Sequence, residues 1–403
     1  MAVGEGALPP LHPIAGVRLG TASAGVKKPG RRDLVVIELA AGATSAGLFT
    51  RNAFCAAPVQ VARSHLAQAA PRYWVINTGN ANAGTGSDGL VRAASVCAAL
   101  AAHTGVATEQ VLPFSTGVIG EPLPAERIVT ALPAAVAALD ADGWALAAEG
   151  ILTTDTRPKG ASRQVRLADG ATLGVTGIAK GAGMIRPDMA TMLAFVATDA
   201  RVGAPLLKNM LVTAAEKSFN RITIDGDTST NDALMLAATG AVATELDSAA
   251  LAALGEAVTE VCMELAQAVV RDGEGATKFV TIVVAGGGSS AECLAVGYAV
   301  AESPLVKTAL FACDPNWGRI LAAIGRARVA ALDVERISVW LDEVLIAERG
   351  ARAASYTEAA GQEVMARAEI TIRIELGRGA CAETLWTTDL SYDYVRINAE
   401  YRT

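Results

Sequence analysis

A chain of 403 residues, 52% apolar and only 19% charged, is neither disordered nor a coiled coil. At about 150 residues per domain it makes two or three units or one large layered fold. The net charge of −7 and the scattered cations, densest at Lys27, Lys28, Arg31 and Arg32 without interleaved aromatics, exclude a nucleic-acid binder, which needs a basic footprint.

Strands and helices alternate along the whole chain. Strands are predicted over 33–40 (DLVVIELA) and 72–77 (RYWVIN). An Ala-rich helix over 90–103, a strand over 110–115 and a helix over 125–139 follow. The middle carries strands over 162–167 and 172–178, a loop over 179–190, and the run 191–198 (TMLAFVAT), which reads as a buried strand. Helices over 205–218 and 247–271 lead to a buried strand over 278–285 (KFVTIVVA). Helices over 291–301 and 319–328 precede a strand-rich end over 337–346, 368–376 and 391–398. In that last stretch, SYDYVRIN, clean alternation puts Tyr392, Tyr394 and Arg396 on one face. With no linker and no internal repeat, this is a single layered α/β body. No run of about 18 apolar residues is uninterrupted, and residues 1–10 lack basic and apolar segments, so neither a membrane span nor a secretory signal is expected.

The six cysteines (Cys55, Cys97, Cys262, Cys293, Cys313, Cys381) show no C-x-x-C spacing and read as reduced, packed thiols. Only three histidines occur, His12, His65 and His103, none at metal-ligand spacing. An enzyme built from this chain therefore draws its base from another residue type.

Two motifs carry bland readings. Gly84-Thr85-Gly86-Ser87-Asp88-Gly89 fits G-x-G-x-x-G, with Glu109 about twenty residues on, but six residues separate it from the strand, where a dinucleotide turn is tight. It reads as a polar loop shaping a cleft. Asp225–Asp232 (DGDTSTND) places Thr230 and Leu236 where a calcium loop needs glycine and a carboxylate, so it reads as an Asx-rich turn capping the next helix. The nucleophile elbow G-x-S-x-G is absent.

The segment 180–193 (KGAGMIRPDMATML) differs in kind, because a loop with two glycines and a proline runs straight into a buried strand beginning at Thr191. One reading is a strand-initiating threonine bonded to backbone. The other is that Thr191 attacks the carbonyl of Ala190, which the small alanine leaves accessible, with Gly181 and Gly183 supplying unusual backbone freedom. The freed α-amine, with an ordinary pKa of about 7.7–8.0, would then serve as base for the threonine hydroxyl.

This run resembles the self-cleavage and nucleophile motif of the ornithine acetyltransferases, the glutamate N-acetyltransferases of arginine biosynthesis. Segments 25–34 (GVKKPGRRDL), 77–83 (NTGNANA), 115–120 (STGVIG), 153–156 (TTDT), 272–278 (DGEGATK), 314–319 (DPNWGR) and 394–403 (YVRINAEYRT) agree with it in order. The resemblance implies an αββα sandwich similar to the N-terminal-nucleophile hydrolases but of distinct topology. It implies cleavage at Ala190/Thr191 into chains 1–190 and 191–403, interleaved in one body and associating as dimers or tetramers of such pairs. Thr191 would be cleavage residue and nucleophile, with the Thr116 hydroxyl and Gly117 N–H as oxyanion hole. Thr153, Thr154, Lys180, Thr191, Glu274, Asn398 and Thr403 would contact substrate, Lys180 toward a carboxylate and Glu274 toward an amine.

The resemblance further implies a cytoplasmic ping-pong acetyltransferase that uses N-acetylornithine and glutamate, with no cofactor, metal, nucleic acid or membrane. Nothing in the sequence separates an enzyme that also accepts acetyl-CoA from one that does not. An amidase or aminopeptidase of the wider self-cleaving fold is the alternative enzyme, and a non-catalytic Gly-loop nucleotide binder the alternative of another class.

Overall fold

Strands in this chain are apolar on both faces because each central sheet is covered twice. The structure, a computed structural model, describes all residues except Met1, Glu5, Lys28, 187–191 and 401–403. The first sheet holds β1 (Val17–Ala22), β2 (Leu34–Leu39), β4 (Tyr73–Asn80) and β5 (Val111–Val118), in that order. The second runs β3 (Thr44–Phe49), β9 (Ala233–Ala238), β8 (Leu193–Thr198), β7 (Thr172–Lys180), β6 (Lys159–Arg166). Only β4/β5 and β8/β9 pair in parallel within these two sheets; their other pairings are antiparallel.

The pleat sends alternate side chains to different cores. Val35, Ile37 and Leu39 of β2 meet Leu193, Phe195 and Ala197 of β8 between the sheets. Leu34 and Val36 face the opposite way, toward α2 (Gly86–Thr104) and α3 (Ala125–Ala137). Ala194 and Val196 likewise turn outward to α5 (Ala204–Lys217) and α6 (Ser248–Arg271). The layers are thus helix, sheet, sheet, helix, the αββα sandwich. Phe195 anchors the middle, with its ring centroid 5.7 Å from Trp74 and 5.0 Å from Phe114. Truncating so buried a phenylalanine to alanine costs about 3–5 kcal/mol. Helices α1 (Ala57–Gln68) and α4 (Trp144–Gly150) close the first half.

A second body, not foreseen as a separate layer, follows. Its sheet orders as β13 (Ala351–Arg352), β12 (Val344–Glu348), β11 (Ser338–Leu341), β14 (Glu369–Glu375), β10 (Phe279–Gly287), β15 (Cys381–Thr388). It has its own core with α7 (Ser290–Ala301), α8 (Pro304–Phe311), α9 (Trp317–Gly325) and α10 (Glu358–Met365). Trp386 of β15 and Phe279 of β10 join the sandwich core instead, so the two bodies are fused rather than linked. No single helix among the described residues is long and apolar enough to cross a membrane.

Four local readings are corrected. The tail is a helix, α11 (Tyr392–Ala399), not a strand, because the Ser391 hydroxyl caps it by accepting from the Tyr394 N–H. Segment 225–232 runs into strand β9, not a helix. The single strand expected over 337–346 is the hairpin β11/β12, turned at Asp342 with a φ of 45°. The helix expected from residue 90 starts at Gly86.

Candidate active site

Strand ends β4, β5, β7, β8 and β9 converge on one cavity of about 270 Å³. Thr116 and Gly117 enter it from the end of β5, Thr153 and Thr154 from the loop before β6, and Lys180 from the last position of β7. Glu274 comes from the turn after α6, and Asn398 from α11. Seven candidate residues that span most of the chain therefore line one space. Ala190, Thr191 and Thr403 lie outside the described residues; Met192, the residue after Thr191, lines the cavity.

The Thr116–Gly117 corner depends on close strand approach. Gly117 has a φ of 138°, and a Cβ there would lie 2.3 Å from the Gly79 carbonyl carbon and 2.5 Å from the Asn80 nitrogen. Only glycine fits such backbone at such range. The β4/β5 register shifts beside it, between Gly79 and Asn80, and such a bulge disrupts the ladder and re-aims backbone groups. Asn231 ties this corner to the loop before β9, since its Nδ2 donates to the Ala81 carbonyl at 2.5 Å and the Ser115 carbonyl at 2.9 Å.

Lys180 is buried and donates from Nζ to Thr153 Oγ1 at 2.7 Å, with Asp155 Oδ2 at 3.9 Å. Burial lowers the Lys180 pKa, and the opposing pull of Asp155 only partly offsets it. Behind it lies a network that the sequence reading did not single out. Lys159 donates to Asp155 Oδ1 and Asp272 Oδ2, both at 2.6 Å, and all three side chains are at most 1% exposed. Burial alone would raise the Asp155 carboxyl, but the charges of Lys159 and Lys180 outweigh it and hold that carboxyl well below the usual carboxylate range. Asp155 also accepts from the Gly181 N–H at 2.6 Å and the Thr153 N–H at 3.0 Å. One carboxylate thus fixes both Gly181, at the exit of β7, and the turn that carries Thr153.

Glu274 accepts from Asn398 Nδ2 at 2.7 Å, and a Cβ on Gly183 would lie 2.5 Å from Glu274 Oε2. The loop after β7 therefore passes directly over this acid. Asp225 pins the same loop, accepting from Met184 N–H at 2.6 Å and Ile185 N–H at 2.9 Å. Asp232, also missed, lines the cavity at 2% exposure, and its Oδ2 has no hydrogen-bond partner. Burial pushes its carboxyl well above the usual range, partly offset by a Ser229 hydrogen bond and the Lys180 charge. The aspartates of DGDTSTND were the available signal, and reading them as a capping turn, with calcium ligation as the alternative, concealed it.

None of residues 84–89 lines the cavity, although Ala81 and Ile119 beside that loop do. Instead Asn82 organises the loop, donating to the Gly89 carbonyl and accepting from Thr85, both at 2.9 Å. A second cavity of about 220 Å³ shares Gly117, Thr153 and Thr154 and reaches Lys27, Arg31 and Asp33.

The arrangement brings together a threonine hydroxyl beside a glycine corner, a buried cation, an acid paired with an amide and a buried carboxyl. That set suits acyl transfer between small polar molecules. The ArgJ family matches residues 18–403. The chain is 64% identical to an arginine biosynthesis bifunctional protein ArgJ of Pseudomonas fluorescens and 57% identical to that of Psychrobacter arcticus, each over 100% of both chains. It is also 34% identical to an ornithine acetyltransferase of Mycobacterium tuberculosis solved with ornithine, covering 44% of this chain and 94% of that one at a TM-score of 0.41.

Proposed function

This chain belongs to the ArgJ family, and on that premise we propose that it is an acetyltransferase of arginine biosynthesis, moving acetyl from N2-acetylornithine to glutamate. The observation that supports this reading is the single cavity lined by Thr116, Gly117, Thr153, Thr154, Lys180, Glu274 and Asn398. The relatives' names speak for transfer within arginine biosynthesis rather than for a water-accepting amidase.

The proposed reaction begins with cleavage between Ala190 and Thr191. The Thr191 hydroxyl then attacks the acetyl carbonyl, its proton passing to the new α-amine. Thr116 Oγ–H and the Gly117 N–H take up the oxyanion, each such donor worth about 2.7–4 kcal/mol in the transition state. The C–N bond breaks, the α-amine returns the proton to the leaving nitrogen, and ornithine departs. Glutamate attacks the resulting ester by the reverse path, with water kept out in between. Lys180 holds a substrate carboxylate, Glu274 with Asn398 an amine, and Thr153, Thr154 and Thr403 complete the contacts. Relatives named bifunctional extend the proposal to acetyl-CoA as a second donor. We place the enzyme in the cytoplasm, its two pieces staying together in dimers or tetramers.

Cleavage predicts fragments of 190 and 213 residues, about 19 and about 22 kDa at the chain's mean residue mass. An intact 41 kDa band from active enzyme, or full activity in Thr191→Ala, would overturn the mechanism. Acetyl-CoA and glutamate supplied without acetylornithine test the second donor, and absence of acetylglutamate would refute it.

A further inference from the structure

Transfer from acetylornithine, as proposed above, leaves the second cavity of about 220 Å³ without a task. It shares Gly117, Thr153 and Thr154 with the first, so a glycine and two threonines form the wall between them. Beside that wall Gly79 and Gly117 are register partners in β4 and β5, both at positive φ, 93° and 138°. Bare backbone therefore lines the second cavity where it meets the oxyanion corner.

The chain's densest cluster of cations opens onto this cavity. Lys27 and Arg31 line it and are exposed. Asp33, 3% exposed, fixes the turn before Lys27, accepting from the Ala24 and Val26 N–H groups at 2.6 Å each. The Asp33 carbonyl accepts from the Thr78 N–H at 2.9 Å, which holds that turn against β4. A Cβ on Gly79 would lie 2.9 Å from Lys27 Cβ, so the lysine rests directly on the glycine. Arg31 Nη2 donates to the Leu152 carbonyl at 2.7 Å, which brings the guanidinium beside the loop of Thr153 and Thr154. Leu152 and Ile397 supply the apolar part of the lining, and Glu400, at the end of α11, its other acid.

We propose that the second cavity is the acetyl-CoA site. The acetyl carbonyl sits at the Thr116–Gly117 corner, the pantetheine arm crosses the wall and lies against Leu152 and Ile397, and the phosphates stay outside with Lys27 and Arg31. The inference rests on the reading of acetyl-CoA as a second donor. Acetyl-CoA has neither an amino-acid carboxylate for Lys180 nor an ammonium for Glu274 with Asn398, so the contacts of the first cavity give it no hold. A narrow, partly apolar cleft with a few placed polar groups suits its arm, and a lysine with an arginine suits its phosphates. In the transfer, the Thr191 oxygen bonds to the acetyl carbon as the carbon–sulfur bond breaks. The hydroxyl proton reaches the departing sulfur through the α-amine. The free thiol withdraws through the second cavity, and glutamate takes the first.

The test measures KM for each donor at saturating glutamate. Lys27→Ala should raise KM for acetyl-CoA roughly tenfold, the loss of one charged hydrogen bond. Glu400→Gln should lower it about two- to threefold by removing a like charge. Neither should move KM for acetylornithine. Added KCl should raise KM for acetyl-CoA in the wild type, and less steeply in Lys27→Ala. Acetyl-pantetheine, which keeps the thioester arm without the phosphates, should be indifferent to both charge changes. Ile397→Trp fills the apolar part of the cavity and should raise KM for both thioesters while sparing acetylornithine. Transfer from acetylornithine also reports that each variant is folded.

An unchanged KM for acetyl-CoA in either Lys27→Ala or Ile397→Trp would overturn the inference while the transfer function stands. KM values that rise together for acetyl-CoA and acetylornithine would overturn it as well. A wild-type enzyme that makes acetylglutamate from acetylornithine but none from acetyl-CoA would instead refute the second-donor reading beneath it.

Discussion

Replacing Gly117 by alanine tests the oxyanion corner directly. The new Cβ would stand 2.3 Å from the Gly79 carbonyl carbon, where ordinary contact begins near 3.4 Å, so β5 must retreat from β4 by about 1 Å. A displacement of that size at a reacting centre costs about 10²-fold in rate, and loss of a donor about 10²–10³-fold. The overpacking itself costs about 1–3 kcal/mol of stability. Gly120→Ala is the matched control: its φ of 85° also strains a side chain, but nothing lies within 4 Å of its Cβ. That control should lose only about 1–2 kcal/mol from the left-handed backbone and keep nearly full activity. Single-turnover ornithine release, run beside thermal unfolding, separates the two effects. A Gly117→Ala enzyme with kcat within threefold of the wild type would refute the assignment of this corner.

Lys159→Met leaves Asp155 and Asp272 buried without their shared cation and should destabilise the protein by about 3–5 kcal/mol in urea unfolding. Asp155 has a lowered pKa in the folded state, so its contribution is complete above about pH 4 and is lost as pH falls toward the folded value. Asp155→Asn should therefore weaken the acid dependence of stability between neutral and low pH. Asp232 has the opposite sign, its pKa being raised, so its contribution is lost as pH rises through the folded value. Asp232→Asn should accordingly stabilise the ligand-free protein at about pH 8, by about 1–3 kcal/mol, read as a higher Tm that narrows toward low pH. Asn231→Ala removes the tie to the Ala81 and Ser115 carbonyls and should cost about 1–3 kcal/mol of stability along with acetyl-transfer rate.

The sandwich strands were legible because Val35–Leu39 and Leu193–Ala197 are apolar at every position but Glu38, as doubly covered strands are. Two other strands were not. Thr44–Phe49 (TSAGLF) mixes polar and small residues, and Ala233–Ala238 (ALMLAA), buried at every position, is built of alanine, leucine and methionine that suit a helix as well. Their strand character comes from pairing with each other and with β8, which local pattern does not register. SYDYVRIN alternates like a strand, but its serine cap and the acidic Asp393 in the first turn decide for a helix. For the site, sequence motifs pointed to residues that touch the cavity and passed over those that hold them. Lys159 and Asp272 lie 113 positions apart, and a buried ion pair formed only by folding leaves no spacing to read. Asp232 was in view as part of an acidic turn, but its isolation from partners is a property of three-dimensional burial.

The second sheet has a consequence for the molecularity of folding. β3, β6 and β7 precede residue 190 while β8 and β9 follow it, with seams at β7/β8 and β3/β9. If the chain is cut there, neither piece holds the whole of this second sheet, so the uncut chain must fold before it is severed. Afterward, unfolding separates two polypeptides and refolding becomes a second-order encounter. The melting temperature of the processed enzyme should then rise with protein concentration, whereas that of uncleaved Thr191→Ala, in the same oligomeric state, should lack that contribution.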